Sequence, residues 1–186
     1  AIDNSLQKID FVRRYGGTLY YGDVTQFDLL RSAGIEHAKV FVLAIDNVED
    51  SMNIARHILL NYPNLKLLVR ARDRHHVHLL TDLGVKLIWR ETYMTALDMA
   101  YHSLCHLGVT TQNAKQTIRL FRQYDEDLLI QQQRIYTDEQ KIYETHRNAL
   151  AELEHLFESD SQIRTPRSTE PLTPMEKDPT TDDAVK

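Results

Sequence analysis

The sequence lacks the features that mark several common classes of protein. Its single cysteine, Cys105, excludes an internal disulfide framework and fits a reducing cytoplasm. No apolar run approaches the roughly 18 residues that a membrane-spanning helix needs, and no amino-terminal signal peptide is visible. The formal net charge of -5 argues against nucleic acid as the main partner. These absences favour a globular protein of a reducing cytoplasm.

Glycine is also scarce, with six residues in the chain, and none of them forms a G-x-G-x-x-G phosphate-binding loop. In a dinucleotide-binding unit that loop lies between the first and second strands. The opening residues Ala1-Ile2-Asp3 are typical of a strand end. We therefore expect the chain to begin at the second strand of such a unit and to have been cut from something longer.

Short β-prone or apolar segments alternate with helical segments of about ten residues. Strands are predicted at 1–3, 18–21, 39–45, 66–70 and 85–89, and helices at 5–15, 25–33, 51–61 and 75–83. The continuous run Val40-Phe41-Val42-Leu43-Ala44-Ile45 is typical of a parallel strand that is covered on both faces. This alternation predicts an α/β fold: a Rossmann-like, doubly wound parallel sheet, truncated at its first βα unit.

A helical extension is predicted after the last strand. Residues 92–107 form one helix, and residues 112–157 are almost wholly helical in character, in two or three pieces with a possible restart at Thr137. An apolar stripe on this extension must be buried on something, and a partner subunit is the simplest candidate, with an imperfect coiled coil as the alternative. Four of the five prolines follow Ser159, which predicts a disordered tail.

The predicted organisation therefore has four parts. Residues 1–91 form a partial Rossmann-like nucleotide-binding domain, and residues 92–108 form a dimerisation helix. Residues 109–158 form the helical extension, and residues 159–186 form the disordered tail.

Three acids follow predicted strands: Asp3, Asp23 and Asp46. Because the carboxyl ends of parallel strands meet at one edge of a sheet, these carboxylates are expected to share a nucleoside pocket and to bind ribose hydroxyls. The alternative is that each aspartate only caps the helix that follows it, which is common. Their shared location favours the nucleotide interpretation for the three as a set.

The segment Arg70-Ala71-Arg72-Asp73 stands at the carboxyl end of the most clearly buried strand. Two guanidinium groups offer planar forks of donors that suit an anionic ligand such as a carboxylate. The alternative is an Arg–Asp pair that only holds a loop in place.

Histidines are grouped at 75, 76 and 78 and again at 102 and 106, beside Cys105. We expect no metal site, because no matching carboxylate or cysteine pair lies at a useful spacing, and we interpret these residues as polar histidines on helix surfaces. No nucleophile–base pair is visible, so we do not expect an enzyme.

Several of these segments together resemble one known family. Tyr21-Gly22-Asp23-Val24-Thr25, the run from Asp28 to Gly34, Arg70-Ala71-Arg72-Asp73 and Arg90-Glu91-Thr92 resemble the regulatory domain of Kef-type glutathione-gated potassium efflux antiporters. That domain belongs to the wider class of nucleotide-binding domains called KTN, RCK or TrkA-N. The resemblance covers roughly residues 1 to 125.

The resemblance implies a domain at the carboxyl end of a membrane-embedded potassium–proton antiporter, on the cytoplasmic face of the bacterial inner membrane. It implies a homodimer formed partly through the 92–107 helix, and in some members a flavodoxin-like quinone reductase as ancillary subunit. AMP or NAD(H) would occupy the Rossmann pocket, and glutathione would hold the transporter closed while glutathione adducts open it. The implied nucleotide-binding residues are Asp3, Gly22, Asp23, Ala44 and Asp46, and the implied glutathione-binding residues are Arg70 and Arg72.

Two other interpretations stay open at this point. The chain is either a fragment of a NAD-dependent oxidoreductase, for which we see neither a catalytic residue nor a substrate domain, or a dimerisation module that retains a relic nucleotide fold.

Overall fold

The computed structural model describes residues 1–17, 19–138, 140–145 and 147–149. Within them, five short strands alternate with helices, as the sequence predicts. The strands are β1 (Ile2–Asp3), β2 (Tyr20–Tyr21), β3 (Val40–Leu43), β4 (Lys66–Ala71) and β5 (Leu87–Arg90). The helices are α1 (Leu6–Arg14), α2 (Phe27–Ser32), α3 (Val48–Asn61), α4 (Arg74–Asp82), α5 (Tyr93–His106) and α6 (Thr111–Gln132), with a 3-10 turn at Ile35–His37.

All strand pairings among the described residues are parallel, which confirms the α/β class. β1 pairs with β2, and β3, β4 and β5 form a second sheet in that order. The register places Val42 opposite Leu68 and Leu68 opposite Leu87. No hydrogen-bonded ladder joins β1 to β3 in the described part of the chain, so the strands form two sheets there instead of one continuous sheet.

The core lies on one face of the three-stranded sheet. Alternate residues of β4, Leu67, Val69 and Ala71, point into it and are at most 6% exposed. The apolar sides of α3 and α4 cover this face, and Ile54 and Ile58 of α3 are completely buried. Burying each such side chain contributes roughly 1.5–3 kcal/mol, so this packing fixes the sheet on which the candidate site is built.

The opposite face of the same sheet carries apolar side chains that the described residues leave exposed, and we call it the open sheet face. Val42 is 66% exposed, Trp89 is 51% exposed, and Val40 and Leu87 are 46% and 40% exposed. The prediction that the β3 segment is covered on both faces is therefore not met within the described residues.

Two helices begin two or three residues away from their predicted positions, each for a local reason. α3 begins at Val48 instead of Ser51, because the side chain of Asn47 accepts a hydrogen bond from the amide of Asp50 and caps the helix. α2 begins at Phe27 instead of Thr25, because Asp23 folds the preceding residues into a turn.

The helical extension begins with α6, which packs against α5. Residues 140–145 and 147–149 are also helical, and the Asp138 carboxylate accepts from the amide of Lys141, close to the predicted restart at Thr137. The hydroxyl of Tyr124 on α6 donates to the carbonyl of Ala149, 2.7 Å away. The end of the predicted extension and the predicted tail at 159–186 lie outside the described residues. Among the helices of the described part, none is long and apolar enough to cross a membrane.

Candidate functional site

Three elements meet at the carboxyl ends of β3, β4 and β5, where the Arg70 side chain is held between two acids. Its Nη2 lies 2.5 Å from Asp46 Oδ1 and 3.0 Å from the carbonyl oxygen of Ala44. Its Nη1 lies 3.1 Å from Glu91 Oε1, and Arg72 Nη1 lies 3.3 Å from the carbonyl oxygen of Asp46. We call Asp46, Arg70, Arg72 and Glu91 the strand-end cluster.

The Asp46 carboxylate remains ionised at neutral pH and faces solvent. The hydrogen bond from Arg70 and the positive charge of Arg70 lower the pKa of Asp46, with smaller contributions from Lys8 and Arg72. The Asp46 side chain is 79% exposed. An ionised, accessible carboxylate at a strand end can accept hydrogen bonds from a ribose.

Asp3 pairs with Lys8 on the first helix. Asp3 accepts from the amide of Ser5 at 2.8 Å, and its second oxygen lies 3.4 Å from Lys8 Nζ. The positive charge of Lys8 is also a minor cause of the lowered pKa of Asp46. A cleft of about 400 Å³ opens beside Asp3 and Lys8 and is lined further by Gln7, Phe11, Val12 and Leu19.

Gly22 and Asp23 have local roles. The amide of Gly22 donates to the carbonyl of Asp3, and a Cβ on Gly22 would lie 2.2 Å from Leu29 Cδ2, so a larger residue would push this side chain away. Asp23 Oδ1 accepts from the amide and the hydroxyl of Thr25, at 2.9 and 2.7 Å, and these hydrogen bonds lower the pKa of Asp23.

The structure therefore places the predicted residues unequally. Ala44, Asp46, Arg70 and Arg72 are brought together, whereas the Asp3 carboxylate contacts Ser5 and Lys8. Gly22 contacts the backbone of Asp3, whereas the hydrogen bonds that the described residues give the Asp23 carboxylate all come from Thr25.

A second ionic cluster lies between α4, β5 and α6, and we call it the Asp125 cluster. Asp125 is buried, with an 8% exposed side chain, and its Oδ1 lies 2.5 Å from Arg74 Nη1. Arg90, 13% exposed, donates to both Asp125 oxygens through Nη1 and Nη2. Its guanidinium carbon lies 3.7 Å from the centroid of the Tyr93 ring. Burial and the Asp125 charge raise the pKa of Tyr93 to about 12, so this phenol stays protonated.

The Asp125 cluster keeps donor capacity for a further anion. Nε and Nη2 of Arg74 are buried and have no hydrogen-bond partner among the described residues. Two guanidinium groups against one carboxylate leave one positive charge in excess, and a buried cation with unpaired donors favours an anionic partner.

Sequence reasoning missed this cluster. Arg90 was noted only as part of the Arg90-Glu91-Thr92 segment, and neither Arg74 nor Asp125 was identified as a candidate residue. The available signal was periodicity: Asp125 occupies the same stripe of α6 as Phe121, Leu128 and Gln132. A charged residue on the inward stripe of a helix is buried only with a partner, and that rule predicts a cationic counterpart.

The expectation of surface histidines is wrong for two of the three on α4. His75 is exposed, but His76 and His78 are 1% and 2% exposed, because they lie on different sides of α4, His76 against the end of β4 and His78 against the chain after α6. His76 Nδ1 accepts from the amide of Arg72 at 3.1 Å, and His78 Nδ1 lies 2.7 Å from Gln133 Oε1. Within the described ranges, no group of three or more His, Cys, Asp or Glu side chains could hold a metal ion.

These two histidines predict a loss of stability in mild acid. Burial is the main cause that lowers the pKa of both His76 and His78 below the ordinary value of 6.5. The folded state therefore disfavours their protonation. As a result, their contribution to the free energy of unfolding is largest above pH 6.5 and falls as the pH drops below it. Urea unfolding between pH 7.5 and 5.5 is expected to show this decline, and His78→Gln should reduce its slope. The exposed His102→Gln variant is the control, and equal slopes for wild type and His78→Gln would contradict the assignment.

With this geometry established, the chain can be compared with known proteins. Residues 1–91 match the TrkA-N domain, and residues 95–171 match the potassium efflux system KefB C-terminal domain. A Kef C-terminal domain from Shewanella denitrificans, solved in its AMP-bound form, is 32% identical, with a TM-score of 0.65 over 72% of this chain and 81% of that one. The chain belongs to the Kef C-terminal domain family.

Membership in this family gives the chain its coarse role. It is a carboxyl-terminal regulatory domain of a potassium efflux system, and thus a part of a transporter. The boundary between the two matched regions falls at residues 92–94, where β5 has ended and α5 begins. The Rossmann-like part thus carries the strand-end cluster, and the Kef-specific part contributes Asp125.

Proposed function

We propose that this Kef domain binds a nucleotide, AMP or NAD(H), at the strand-end cluster and thereby regulates potassium–proton antiport. The observation that carries the proposal is the ionised, exposed Asp46 carboxylate held against Arg70 at the carboxyl ends of three parallel strands. Ligands of open α/β sheets gather at this edge, and an acid there suits ribose hydroxyls. The relative from Shewanella denitrificans carries AMP, which supports the same class of ligand here.

We propose further that glutathione is the second effector, closing the transporter, and that its adducts open it. The exposed Arg72 makes one side-chain hydrogen bond within the described residues, to the Asp46 carbonyl, so most of its donors can receive a carboxylate. Arg70 is engaged by two acids and a carbonyl, and its part would be to position Asp46 and Arg72.

Regulation by two related effectors requires that they favour different arrangements of the protein. A ligand that binds both arrangements equally shifts nothing. Glutathione and its adducts share the carboxylates that Arg72 would bind, and they differ in the bulk attached at sulfur. The adduct group must therefore be accommodated in one arrangement better than in the other.

A homodimer is the arrangement that the surfaces support. The open sheet face leaves Val42, Leu87 and Trp89 exposed, and α5 leaves Met94 and Met99 53% and 67% exposed. The helix that α5 contacts most in the described structure is α6, so its outward apolar side is available to a second copy. Packing α5 of each copy on the open sheet face of the other would bury both patches in a two-fold interface.

The remaining partners are proposed from the family. The domain acts on its own transmembrane antiporter part at the cytoplasmic face of the inner membrane. A flavodoxin-like quinone reductase is proposed as an ancillary subunit of this member.

The experiment that tests nucleotide binding is calorimetric titration of AMP into the chain. Asp46→Asn removes the charge at nearly constant size, and we expect it to weaken AMP binding about tenfold or more, since hydrogen bonds to charged groups contribute roughly 1.5–3 kcal/mol. Asp28→Asn, at an exposed position of α2, is the matched control and should bind AMP like wild type. Equal affinity for AMP in the Asp46 and Asp28 variants would refute this site.

The same titration with reduced glutathione separates the second effector from the first. Arg72→Ala is expected to weaken glutathione binding while AMP still binds. Glutathione binding that ignores Arg72 would move the anion site elsewhere, and no binding of glutathione by wild type would leave a nucleotide sensor alone. If neither AMP nor glutathione raises the melting temperature of the chain, the result would favour the interpretation as a dimerisation module.

A further inference from the structure

Thr92 has an unusual backbone conformation at the junction of β5 and α5. Its φ is +60° and its ψ is -14°, in the left-handed region, and the other positive-φ residues of the described chain are glycines. A β-branched residue at positive φ is a true outlier and costs roughly 1–3 kcal/mol. Thr92 precedes α5 but makes no side-chain capping bond, and it is exposed. Its own side chain therefore does not account for the conformation.

The neighbours of Thr92 hold it from two sides. On one side, the amide of Glu91 donates to the carbonyl of Ala71 at 2.7 Å, and the Glu91 carboxylate pairs with Arg70 at 3.1 Å. These contacts fasten Glu91 to the strand-end cluster. Such a backbone persists only where the surroundings fix the residues around it.

On the other side, Tyr93 lies beneath the guanidinium group of Arg90, which binds Asp125 on α6. The ring of Tyr93 therefore fastens the start of α5 to the Asp125 cluster. Two neighbours of one strained residue are thus tied to different clusters, one at the candidate nucleotide site and one on α6.

We propose that Thr92 is a strained joint that transmits occupancy of the strand-end cluster to α5 and α6. An anionic ligand that competes for Arg70 loosens the Arg70–Glu91 pair. Once Glu91 is released, Thr92 relaxes to an ordinary backbone conformation and α5 changes its angle to the sheet. The nature of the ligand rests on the proposed function, whereas the joint itself is a property of the fold.

The strain is tested by comparing glycine at two exposed threonines of the same region. Thr92→Gly removes the Cβ that makes positive φ costly, and we expect the melting temperature to rise by about 3 °C. Thr95→Gly, inside α5, is the matched control and should lower it by a similar amount, because glycine destabilises a helix interior. A melting temperature that falls equally in both variants would show that Thr92 stores no strain.

The coupling is tested by hydrogen exchange with Glu91→Gln, which weakens the pair with Arg70. With Thr92 present, this change is expected to speed amide exchange at 94–97 and 122–128 about tenfold, because relief of the strain at Thr92 then moves α5 relative to the sheet. In the Thr92→Gly background the same change should have little effect on these amides. Equal acceleration in both backgrounds would overturn the joint.

Neither measurement uses a nucleotide, so the joint and the proposed function can fail separately. If AMP fails to bind but the exchange difference is present, nucleotide binding is rejected and the coupling through Thr92 stands. If AMP binds but there is no exchange difference, nucleotide binding stands and the coupling through Thr92 is rejected.

Discussion

Replacing Asp125 by alanine is expected to destabilise the domain by about 4 kcal/mol, because removing one partner of a buried ion pair leaves uncompensated charge. Asp125 is 8% exposed and binds both Arg74 and Arg90, which are 28% and 13% exposed. Alanine would leave two guanidinium groups together without their shared carboxylate. It would also remove the ionic contact that holds α6 to α4 and β5.

The measurement is urea unfolding at pH 7.5, followed by circular dichroism. Asp127→Ala is the matched control, because Asp127 is exposed on the same helix and its loss should cost less than about 0.5 kcal/mol. Asp125→Asn keeps one acceptor oxygen for the two guanidinium groups and should fall between the control and the alanine variant. If Asp125→Ala is no less stable than Asp127→Ala, the cluster does not hold α6 in place.

A carboxylate in the open sheet face is expected to break the proposed homodimer. Val42 is 66% exposed and lies beside Leu68, which in turn lies beside Leu87, so the three form one row across the apolar surface. In a dimer, Val42→Asp would place an unpaired charge in an apolar interface, so the dissociation constant should rise about 100-fold or more.

Sedimentation of the wild-type and variant chains over a range of concentrations measures this change. Leu60→Asp is the control, because Leu60 is 74% exposed on α3, which packs on the other face of the sheet, and the same substitution there should leave the dimer intact. A dimer that survives Val42→Asp, or a wild-type chain that stays monomeric at high concentration, would reject the open sheet face as the interface.

Much of the fold was predictable from the sequence because the relevant signals are local. The apolar run from Val40 to Ile45 predicts a strand whatever lies around it, and Pro63 predicts the end of the helix before it. Boundaries were less certain, since the start of α3 depends on whether Asp46 or Asn47 caps the helix. In the structure Asn47 caps the helix, and Asp46 forms an ion pair with Arg70.

The candidate site was only partly predictable for the same reason. Arg70 and Asp46 could be assigned to one edge of the sheet, because parallel strands bring their carboxyl ends together. The partner Glu91 was quoted only within a motif, because it comes from a strand 21 residues away and its direction depends on the turn at Thr92. The burial of His76 and His78 depends on which elements pack around α4, and the polar sequence of that helix does not indicate this.

The sequence by itself determined the alternation of strands and helices, the strand-end location of the acids and arginines, and the resemblance to the Kef family. Each follows from neighbours along the chain, through propensity, periodicity or motif. Only the tertiary structure decided that Asp125 joins Arg74 and Arg90 across 51 and 35 residues, and that the described residues leave one sheet face exposed. Both features depend on how separate elements pack. A buried charge is costly unless it is paired, and the element that supplies its partner is decided by the fold and not by neighbours along the chain.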